Sequence, residues 1–548
     1  MCKKMKHKIL IANRGEIARR IARTLRTLNL PYAVLLTEEE KGTALHRESN
    51  EAVFFKSSKL EESYLNIEAV IEAAKLAKCT AVHPGYGFLS ENPDFAEALK
   101  KEKISFIGPS SETIRILGDK QQAKELAQSL LIPTLPSVKV SNKASNELLK
   151  EAKQLGYPLL IKAAGGGGGR GMRVIEREDK LLDGISSAKK EAEKFFNNEE
   201  VYIEKYLPKA RHIEVQILGD GKGKVISLGT RECSIQRRRQ KLVEEAQASI
   251  PKKIKRKLEE SAKALGEALK YRSAGTVEFL VNEDSFYFIE ANTRIQVEHP
   301  VTEAVYGVDL VAQQVEILTG AWEPKPLSSR GHAIEFRINC EDPFKNFMPS
   351  TGVVEFITDF NIPWLREDRG IEAGEEVSGA YDSLISKAIV KGKDREEAIY
   401  RSRLLFDLFT VEGVSTTIPF FRWLLRSPSF LRSEIDVNFV EREFTSLGEE
   451  EKKVSPPKRD YLYQKPIGGA EVKTRYKYQS KRYGTEYTIE VTHRTDGFFL
   501  AVPVDERGRK APVEKCRMSN GLKSAITAVI GVLENTPPKE LFEEHRVS

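Results

Sequence analysis

The sequence predicts a multidomain α/β protein that begins with a Rossmann-like region and ends in a small β-rich region. Its 548 residues, 40% of them hydrophobic and 30% charged, are enough for three or four ordinary globular domains. Short apolar strands alternate with amphipathic helices from the start of the chain, which is typical of a parallel sheet covered by helices. A carboxylate-rich hairpin follows near the middle of the chain, and strand patterns return near its end.

The first strand–helix unit comprises residues 8–13 and the helix that follows them. Ile17, Ile21 and Leu25 recur at helical spacing, so the chain turns directly from an apolar strand into a helix. Further strands are predicted at residues 32–37, 81–83 and 104–107. Gly15 supplies the first turn, and a lone glycine at such a place is more often a packing turn than a nucleotide-binding one.

The loop from His83 to Asn92 is the first segment with a functional signature. Pro84, Gly85 and Gly87 constrain its backbone directly after a strand end. Functional loops of open α/β sheets lie at this position. We therefore expect this loop to border a site.

A glycine-rich loop at residues 165–169 indicates phosphate binding. It follows a strand that ends in Lys162, and its bare backbone N–H groups allow close approach of phosphate oxygens. Lys162 adds a point charge, as does Lys120 at the start of a helix for which Asp119 is the predicted N-cap. The loop is not a Walker motif, because no Gly-Lys-Ser/Thr follows it. A flexible linker is the alternative, which the two flanking strands disfavour.

Two strands and a basic run come next. Residues 201–207 and 211–218 read as strands, with a turn at 219–221, and such an edge suits an adenine ring. The run from Arg231 to Lys241 is strongly basic and lacks interleaved aromatic residues, so it favours an anion pocket over a nucleic-acid tract. A solvated loop is the alternative for this run.

The hairpin around residues 278–292 predicts a magnesium site. Glu278 and Glu290 lie twelve residues apart across the polar tip 282–284, and strand alternation brings both carboxylates onto one face. Mg²⁺ prefers one or two carboxylates together with nucleotide phosphates, and Asn292 offers a third oxygen.

A row of functional side chains follows the hairpin. Arg294, Gln296 and Glu298 stand at alternate positions, so an extended segment would direct all three the same way. An arginine fork binds a small planar oxyanion, and a nearby carboxylate can remove its proton. The alternative is an edge strand with solvated charges.

Composition indicates the compartment of the protein and the charge of its substrates. The five cysteines are scattered without a Cys-x-x-Cys pair, which favours a reducing compartment over a disulfide framework or a zinc site. No apolar stretch of about 18 residues and no signal-like start occurs, so we expect a cytoplasmic protein without membrane contact. The net charge of +7, from 87 basic and 80 acidic residues, suits anionic substrates and does not imply nucleic acid.

The tail differs in composition from the rest of the chain. Residues 449–457 read as a linker, with a charged run followed by Ser-Pro-Pro. Strand patterns at 487–492 and 498–504, joined by Asp496-Gly497, and a closing helix at 521–534 predict a small β-rich domain.

Together, these motifs resemble biotin carboxylase, the ATP-grasp subunit or domain of biotin-dependent carboxylases such as acetyl-CoA and propionyl-CoA carboxylase. The resemblance runs from about Lys8 to about Phe444, and its motifs lie at 13–18, 83–92, 165–171, 290–300, 333–339, 381–385 and 411–414. It implies a Rossmann-like N-terminal domain at 1–118, an ATP-grasp domain at 119–325 and an α+β C-terminal carboxylase domain at 326–445. The resemblance does not extend into the tail, for which the composition and strand pattern predict a linker and a small β-rich docking domain at 446–548.

The resemblance also implies a reaction and its residues. In this family ATP phosphorylates bicarbonate to carboxyphosphate, which releases CO₂ beside the ureido ring of biotin. The implied ATP-binding residues are Lys120, Lys162, Gly168, Gly169, Glu204, Leu207, His212, Gln236, Arg239 and Glu278. The implied ligands of Mg²⁺ or Mn²⁺ are Glu278, Glu290 and Asn292. The implied bicarbonate-binding residues are Lys241, Arg294, Gln296 and the backbone of Val297. Glu298 would be the general base and Arg337 the biotin-binding residue that stabilises the enolate, with Arg294 and Lys241 assisting catalysis.

Two positions depart from the family pattern. Relatives usually carry Gln-Arg-Arg-His-Gln-Lys where this chain has Arg239 in the histidine's place, so the ribose contact of that histidine is in doubt. Relatives often have methionine where this chain has Ala291.

The alternatives and partners follow from the same features. An ATP-grasp carboxylate–amine ligase is the rival enzyme. Arg239 and the basic, aromatic run 473–478 also leave open an inactive scaffold or a nucleic-acid binder, although surface solvation explains that run more simply. No lysine in the tail lies in a Met-Lys-Met setting, so we expect the biotin carrier and the carboxyltransferase on separate chains. We also expect a homodimer or larger assembly, with neither nucleic acid nor membrane as a partner.

Overall fold

A computed structural model describes residues 7–140, 144–163, 172–196, 199–325, 327–448, 472–479, 485–493, 499–504 and 517–519, together with 526, 529, 530 and 533. Within these ranges, no helix is both long and apolar enough to cross a membrane.

The N-terminal region is a five-stranded parallel sheet in the order β3-β2-β1-β4-β5, which confirms the predicted Rossmann-like start. Its strands are β1 (Ile9–Ile11), β2 (Tyr32–Leu36), β3 (Ala52–Phe54), β4 (Ala81–His83) and β5 (Ser105–Phe106). Its helices are α1 (Gly15–Thr27), α2 (Ala44–Glu48), α3 (Ile67–Leu76), α4 (Pro93–Lys101) and α5 (Ser111–Gly118). Ile17, Ile21 and Leu25 are buried on α1, as their helical spacing predicts.

A small antiparallel sheet follows, in the order β6-β9-β7-β8. Its strands are β6 (Ser137–Lys139), β7 (Leu159–Ala163), β8 (Met172–Ile175) and β9 (Val201–Lys205). The helices of this part are α6 (Lys120–Ser129), α7 (Ser145–Leu155) and α8 (Leu181–Phe196). Asp119 caps α6 as predicted, because its side chain accepts from the N–H groups of Gln121 and Gln122.

The largest element is an eight-stranded antiparallel sheet in the order β14-β13-β10-β11-β12-β15-β22-β20. Its strands are β10 (Arg211–Asp220), β11 (Val225–Arg237), β12 (Gln240–Ala246), β13 (Arg272–Asn282), β14 (Ser285–Asn292), β15 (His332–Asn339), β20 (Leu365–Arg369) and β22 (Leu384–Gly392). The helices α9 (Lys252–Ala268), α10 (His299–Tyr306) and α11 (Leu310–Thr319) pack against it. Because β12 pairs with β15, one sheet runs from the predicted ATP-grasp region into the predicted C-terminal region.

Short strands and helices complete the C-terminal region around an aromatic core. The strands are β16 (Glu341–Asp342), β17 (Met348–Pro349), β18 (Gly352–Val353), β19 (Phe356–Ile357), β21 (Glu376–Val377) and β23 (Val411–Glu412). The helices are α12 (Arg395–Leu408), α13 (Ile418–Leu424) and α14 (Pro428–Leu431), followed by a π-helical turn at Val440–Thr445. Phe336 of the large sheet contacts Phe406 and Phe421 edge-on, which fixes this core to the strand that carries Arg337.

The tail forms a four-stranded antiparallel sheet, so the predicted β-rich region is present. Its strands are β24 (Val472–Gln479), β25 (Glu486–His493), β26 (Phe499–Val504) and β27 (Arg517–Ser519). Apolar side chains of β25 and β26 pack with helical residues Val529 and Leu533 and with Phe356 of the C-terminal region. The predicted linker, the Asp496-Gly497 turn and most of the predicted closing helix lie outside the described residues.

Candidate active site

The carboxylate pair lies where the sequence predicts it. In the β13–β14 hairpin Glu278 stands directly opposite Glu290, so the two carboxylates share one face of the large sheet. Burial raises the pKa of Glu290, and the negative charge of Glu278 raises it further. The two carboxylates repel each other where they are partly shielded from water, and a divalent cation bound between them would offset that repulsion. The residues present therefore fit a Mg²⁺ ion.

Glu278 is the centre of a polar network. One carboxylate oxygen accepts from Lys241 Nζ at 3.0 Å, from Asn292 Nδ2 at 2.8 Å and from Gln296 Nε2 at 2.8 Å. His212 Nε2 lies 2.8 Å from the other oxygen. Burial would raise the pKa of Glu278, but the charges of Lys241 and His212 outweigh it and hold the pKa well below its usual range. Glu278 is therefore a carboxylate at neutral pH.

Glu298 lies between two cations. Lys241 Nζ is 2.6 Å from one of its oxygens, and Arg337 Nη2 is 2.9 Å from the other. Although burial alone would raise the pKa of Glu298, the charges of Lys241, Arg337 and Arg231 hold it well below its usual range. Burial would lower the pKa of Lys241, but the carboxylates of Glu214, Glu278 and Glu298 outweigh it and raise the pKa well above its usual value. Glu298 and Lys241 are therefore both ionised, so Glu298 is in the deprotonated form that a base requires.

The segment that carries Arg294, Gln296 and Glu298 is not extended, so the predicted alternation is wrong. β14 ends at Asn292, residues 293–298 form bends and a turn, and α10 begins at His299. Arg294 nevertheless donates to Asn292 Oδ1 at 3.0 Å, and Gln296 and Glu298 converge on Lys241 and Glu278. Contacts from distant segments, and not the local repeat, bring these side chains together.

Glu91 is one of these distant contacts, and the motifs of the sequence did not reveal its role. One of its oxygens accepts from the backbone N–H of Thr293 at 3.0 Å, and the other accepts from Arg294 Nε at 2.9 Å. Glu91 belongs to the loop 83–92, so this loop borders the site as expected. The motif marked the loop, but no spacing rule links Glu91 to a residue some two hundred positions later.

The buried side chain of Arg231 also belongs to this network, and the sequence motifs did not reveal that role. Arg231 has no solvent exposure and ion-pairs with Glu214, which in turn accepts from Lys241 at 2.6 Å. Its other nitrogens donate to Gln216 and Gln296, each at 2.7 Å. The basic run 231–241 is thus not a solvated loop, because most of it forms the β11–β12 hairpin inside the sheet.

The nucleotide side of the cleft is built differently. Lys162 at the end of β7 ion-pairs with Glu204 on β9, and Lys124 lies 3.8 Å from the same carboxylate. The Lys120 ammonium interacts electrostatically with Glu290, Lys162 and Glu204. Lys120 is exposed, and Lys162 and Glu204 are half-buried, so these groups border open space.

The remaining predicted nucleotide contacts are placed as follows. Leu207 is half-buried just beyond β9, whereas His212 and Gln236 are buried in the large sheet. Gly168 and Gly169 lie outside the described residues.

Arg239 occupies the two-residue turn of the β11–β12 hairpin, where it and Arg238 both adopt positive φ, 69° and 46°. Such a conformation costs a bulky residue roughly 1 kcal/mol or more and recurs at functional sites.

Family models match most of the chain. The model for the biotin carboxylase N-terminal domain matches residues 5–114, and that for the biotin carboxylase C-terminal domain matches residues 335–442. Between them, the model for the ATP-binding domain of the carbamoyl-phosphate synthase L chain matches residues 119–324. The tail lies beyond these matches.

Individual relatives agree with these models. The chain is 44% identical over 449 residues to the biotin carboxylase of Allochromatium vinosum, covering 80% of this chain and 98% of the relative. It is 40% identical over 442 residues to the mitochondrial propionyl-CoA carboxylase alpha chain of Mus musculus, covering 79% and 61%. The biotin carboxylase domain dimer of Hydrogenobacter thermophilus 2-oxoglutarate carboxylase, solved with MgADP, ADP and bicarbonate, superposes with a TM-score of 0.77 at 37% identity, covering 82% and 99%.

A small antiparallel sheet and a larger one, with Lys120 in electrostatic range of Glu204 on the first and Glu290 on the second, are the arrangement of a ligase with the ATP-grasp fold. The chain belongs to the biotin carboxylase family. It is an ATP-dependent enzyme that carboxylates biotin, and its relatives include subunits and domains of multi-part carboxylases.

Proposed function

We propose that this chain carboxylates carrier-bound biotin through carboxyphosphate, with Glu298 as the base that deprotonates bicarbonate. The observation that carries the proposal is the position of Glu298, 2.6 Å from Lys241 and 2.9 Å from Arg337, in a network that Gln296 also joins. A base, an anion site and a fixed guanidinium are the three groups that this reaction needs.

The anion site accounts for the first step. Arg294 and Gln296, with Lys241 and the backbone of Val297, would bind bicarbonate beside Glu298. The anion adds negative charge next to Lys241, which offsets the field that keeps the pKa of Glu298 low. Glu298 then accepts the bicarbonate proton as the bicarbonate oxygen attacks the terminal phosphate of ATP, and ADP leaves.

The nucleotide groups position the phosphate for that attack. ATP would be held by the implied residues Lys120, Lys162, Gly168, Gly169, Glu204, Leu207, His212, Gln236, Arg239 and Glu278. A Mg²⁺ or Mn²⁺ ion bound by Glu278, Glu290 and Asn292 supplies positive charge to the phosphates. The Lys162–Glu204 ion pair must open for Lys162 to contact a phosphate.

Arg337 serves the second half of the reaction. Carboxyphosphate breaks down to CO₂ and phosphate. The released phosphate takes the proton of the ureido nitrogen of biotin, and that nitrogen then attacks CO₂. Arg337 lies on β15 with Nε 2.6 Å from Glu244, which aims its guanidinium at the cleft and at Glu298. A fixed guanidinium stabilises the negative charge that develops on the ureido oxygen.

The test is an assay of the purified chain. We expect ADP release that requires bicarbonate and increases with free biotin. Turnover that ignored biotin and required an amine would identify the rival carboxylate–amine ligase instead. Measured at the same time, incorporation of label from ¹⁸O-bicarbonate into phosphate reports the carboxyphosphate step directly.

We propose that the carrier and carboxyltransferase of an acyl-CoA or 2-oxoacid carboxylase are separate chains, and that the tail docks them. The division into regions 1–118, 119–325, 326–445 and 446–548 is part of this proposal, as are a homodimer or larger assembly and a cytoplasmic location. The tail is well suited to docking because its sheet is fixed to the enzyme core through Phe356. Nucleic acid is a poor candidate for a partner, because Tyr476 and Tyr478 are half-buried and pack against the core of the tail.

Deleting the residues after Phe444 tests the docking role. Turnover with free biotin should persist, and co-purification with carrier or transferase should be lost. Because the deletion uncovers Phe356, the same truncation with Phe356→Gln controls for an exposed apolar surface. Normal assembly of the truncated chain, or a streptavidin signal from the full chain itself, would refute the docking proposal.

A further inference from the structure

Lys387 is a fully buried cation in the middle of the large sheet. It lies on β22 directly opposite Arg337 of β15, and its side chain has no solvent exposure. Removing an ammonium from water costs several kcal/mol, which only close partners offset. A lysine in such a place therefore has specific contacts to make.

Its contacts lead to residues 293–298, which carry most of the proposed bicarbonate ligands and which we call the bicarbonate segment. Lys387 Nζ donates to the backbone carbonyl of Val297 at 2.7 Å and lies 3.1 Å from Glu16 Oε1 of α1. Tyr86, in the loop 83–92, donates its hydroxyl to the same oxygen of Glu16. Lys387 thus connects the peptide group that joins Val297 to Glu298 with Glu16 of α1, and through Glu16 with Tyr86 of the loop 83–92.

This peptide needs such support because its segment has no regular structure. Residues 293–298 lie between the end of β14 and the start of α10. Glu91 holds the beginning of the segment through Thr293 and Arg294. Lys387 holds its end, immediately before Glu298.

We propose that Lys387 is a positioning residue for the reaction. It fixes the Val297–Glu298 peptide and so holds two groups in position, the backbone of Val297, which would bind bicarbonate, and the base Glu298. This inference rests on the proposed function. Lys387 does not touch substrate, and its effect passes through the backbone. A misplacement of about 1 Å at such a site can reduce a rate by up to 10²-fold.

The chain offers a matched control on the same strand. Lys391 also lies on β22 and donates to a backbone carbonyl, that of Ala304, at 2.6 Å. Its bond is exposed and falls within α10, beyond the bicarbonate segment. Lys391→Met therefore removes a similar bond without freeing the peptide at Glu298.

The experiment measures KM for bicarbonate and for ATP in wild type, Lys387→Met, Lys391→Met and the double variant Lys387→Met/Glu16→Gln. We expect Lys387→Met to raise KM for bicarbonate at least about tenfold and to lower kcat, with KM for ATP within about twofold of wild type. Lys391→Met should match wild type. The double variant removes both buried charges, so it should regain thermal stability and keep the bicarbonate defect.

Two results would overturn the inference. One is a KM for bicarbonate in the single and double variants that stays within twofold of wild type. The other is a defect that disappears in the double variant, which would assign it to an uncompensated charge on Glu16. If wild type itself lacked bicarbonate-dependent turnover, the proposed function would fall first, and the wild-type assay alone would reveal that.

Discussion

The two ends of the cleft differ in how firmly their charged groups are held. At the bicarbonate end, Glu298, Lys241 and Arg337 are each bound to two or more partners within a buried network. At the nucleotide end, Lys120 is exposed, and Lys162 is ion-paired with Glu204, itself a proposed ligand of ATP. One end is built before substrate arrives, whereas the other must exchange internal pairs for substrate contacts.

The difference suits the two substrates. Bicarbonate is small and offers few contacts, so a loose site would bind it weakly, and preorganised charges remove the cost of ordering them. ATP has a large surface and a triphosphate, so its binding energy can open an ion pair and order side chains. Each variant below removes one support from one end of the cleft and tests whether that end responds as this contrast requires.

The largest effect is expected at the base. Glu298→Gln keeps the shape of the side chain but removes the proton acceptor, so turnover should fall by about 10²- to 10⁴-fold. KM for ATP should change little, because the hydrogen bonds of Glu298 go to Lys241 and Arg337, neither of which is a proposed ligand of ATP. Steady-state kinetics test this, with Glu97→Gln on the surface helix α4 as the control. If the Glu298→Gln variant turned over within tenfold of wild type, Glu298 would not be the base.

The next effect concerns the loop that carries Glu91 and is a dependence of stability on pH. Burial lowers the pKa of His83 to about 4, and its Nδ1 accepts from the Gly85 N–H at 3.1 Å, which requires the neutral ring. An ordinary histidine titrates near 6.5, so the unfolded chain binds the proton first and stability falls as pH drops from about 6.5 to 4. The loss attributable to His83 is on the order of 3 kcal/mol.

Thermal unfolding of wild type and His83→Gln between pH 7 and 4 isolates this contribution. Wild type should lose midpoint temperature more steeply than the variant over that window. Parallel slopes for the two proteins would show that His83 is not held neutral, and that the loop which holds Thr293 and Arg294 is less firmly fixed than described.

A smaller effect is expected at Glu91 itself. Glu91→Gln removes the counter-charge of Arg294 but keeps an oxygen for the Thr293 N–H. The guanidinium should become more mobile, so KM for bicarbonate should rise about tenfold, equivalent to about 1.4 kcal/mol. KM for ATP serves as the internal control. An equal rise in both constants would mean that the two ends do not respond independently.

The smallest effect is expected at Arg239. Arg239 is exposed and lies in electrostatic range of Glu204 and Glu290. Because the phosphate and metal groups supply most of the charge contacts, Arg239→His should change ATP affinity within about threefold. Equilibrium binding of ATP with Mg²⁺ measures it. Complete loss of binding would give Arg239 an essential role in holding the nucleotide.

Sequence patterns identified what local rules control. The alternation around 278–290 predicted the facing carboxylates, the spacing of Ile17, Ile21 and Leu25 predicted α1, and Asp119 predicted a cap. The bends at 293–298 were missed because period-two spacing alone does not make a strand. Glu91, Arg231 and Lys387 were missed because their partners are distant in sequence, and only strand order and packing bring them together.

The most direct test of the contrast is a pair of structures of this protein, free and with ADP, Mg²⁺ and bicarbonate bound. The contrast predicts that Arg294, Gln296, Glu298 and Arg337 keep their positions within about 1 Å, as in preorganised sites. It also predicts that the Lys162–Glu204 ion pair opens. Displacements of more than about 2 Å at the bicarbonate end, with that ion pair left intact, would contradict it.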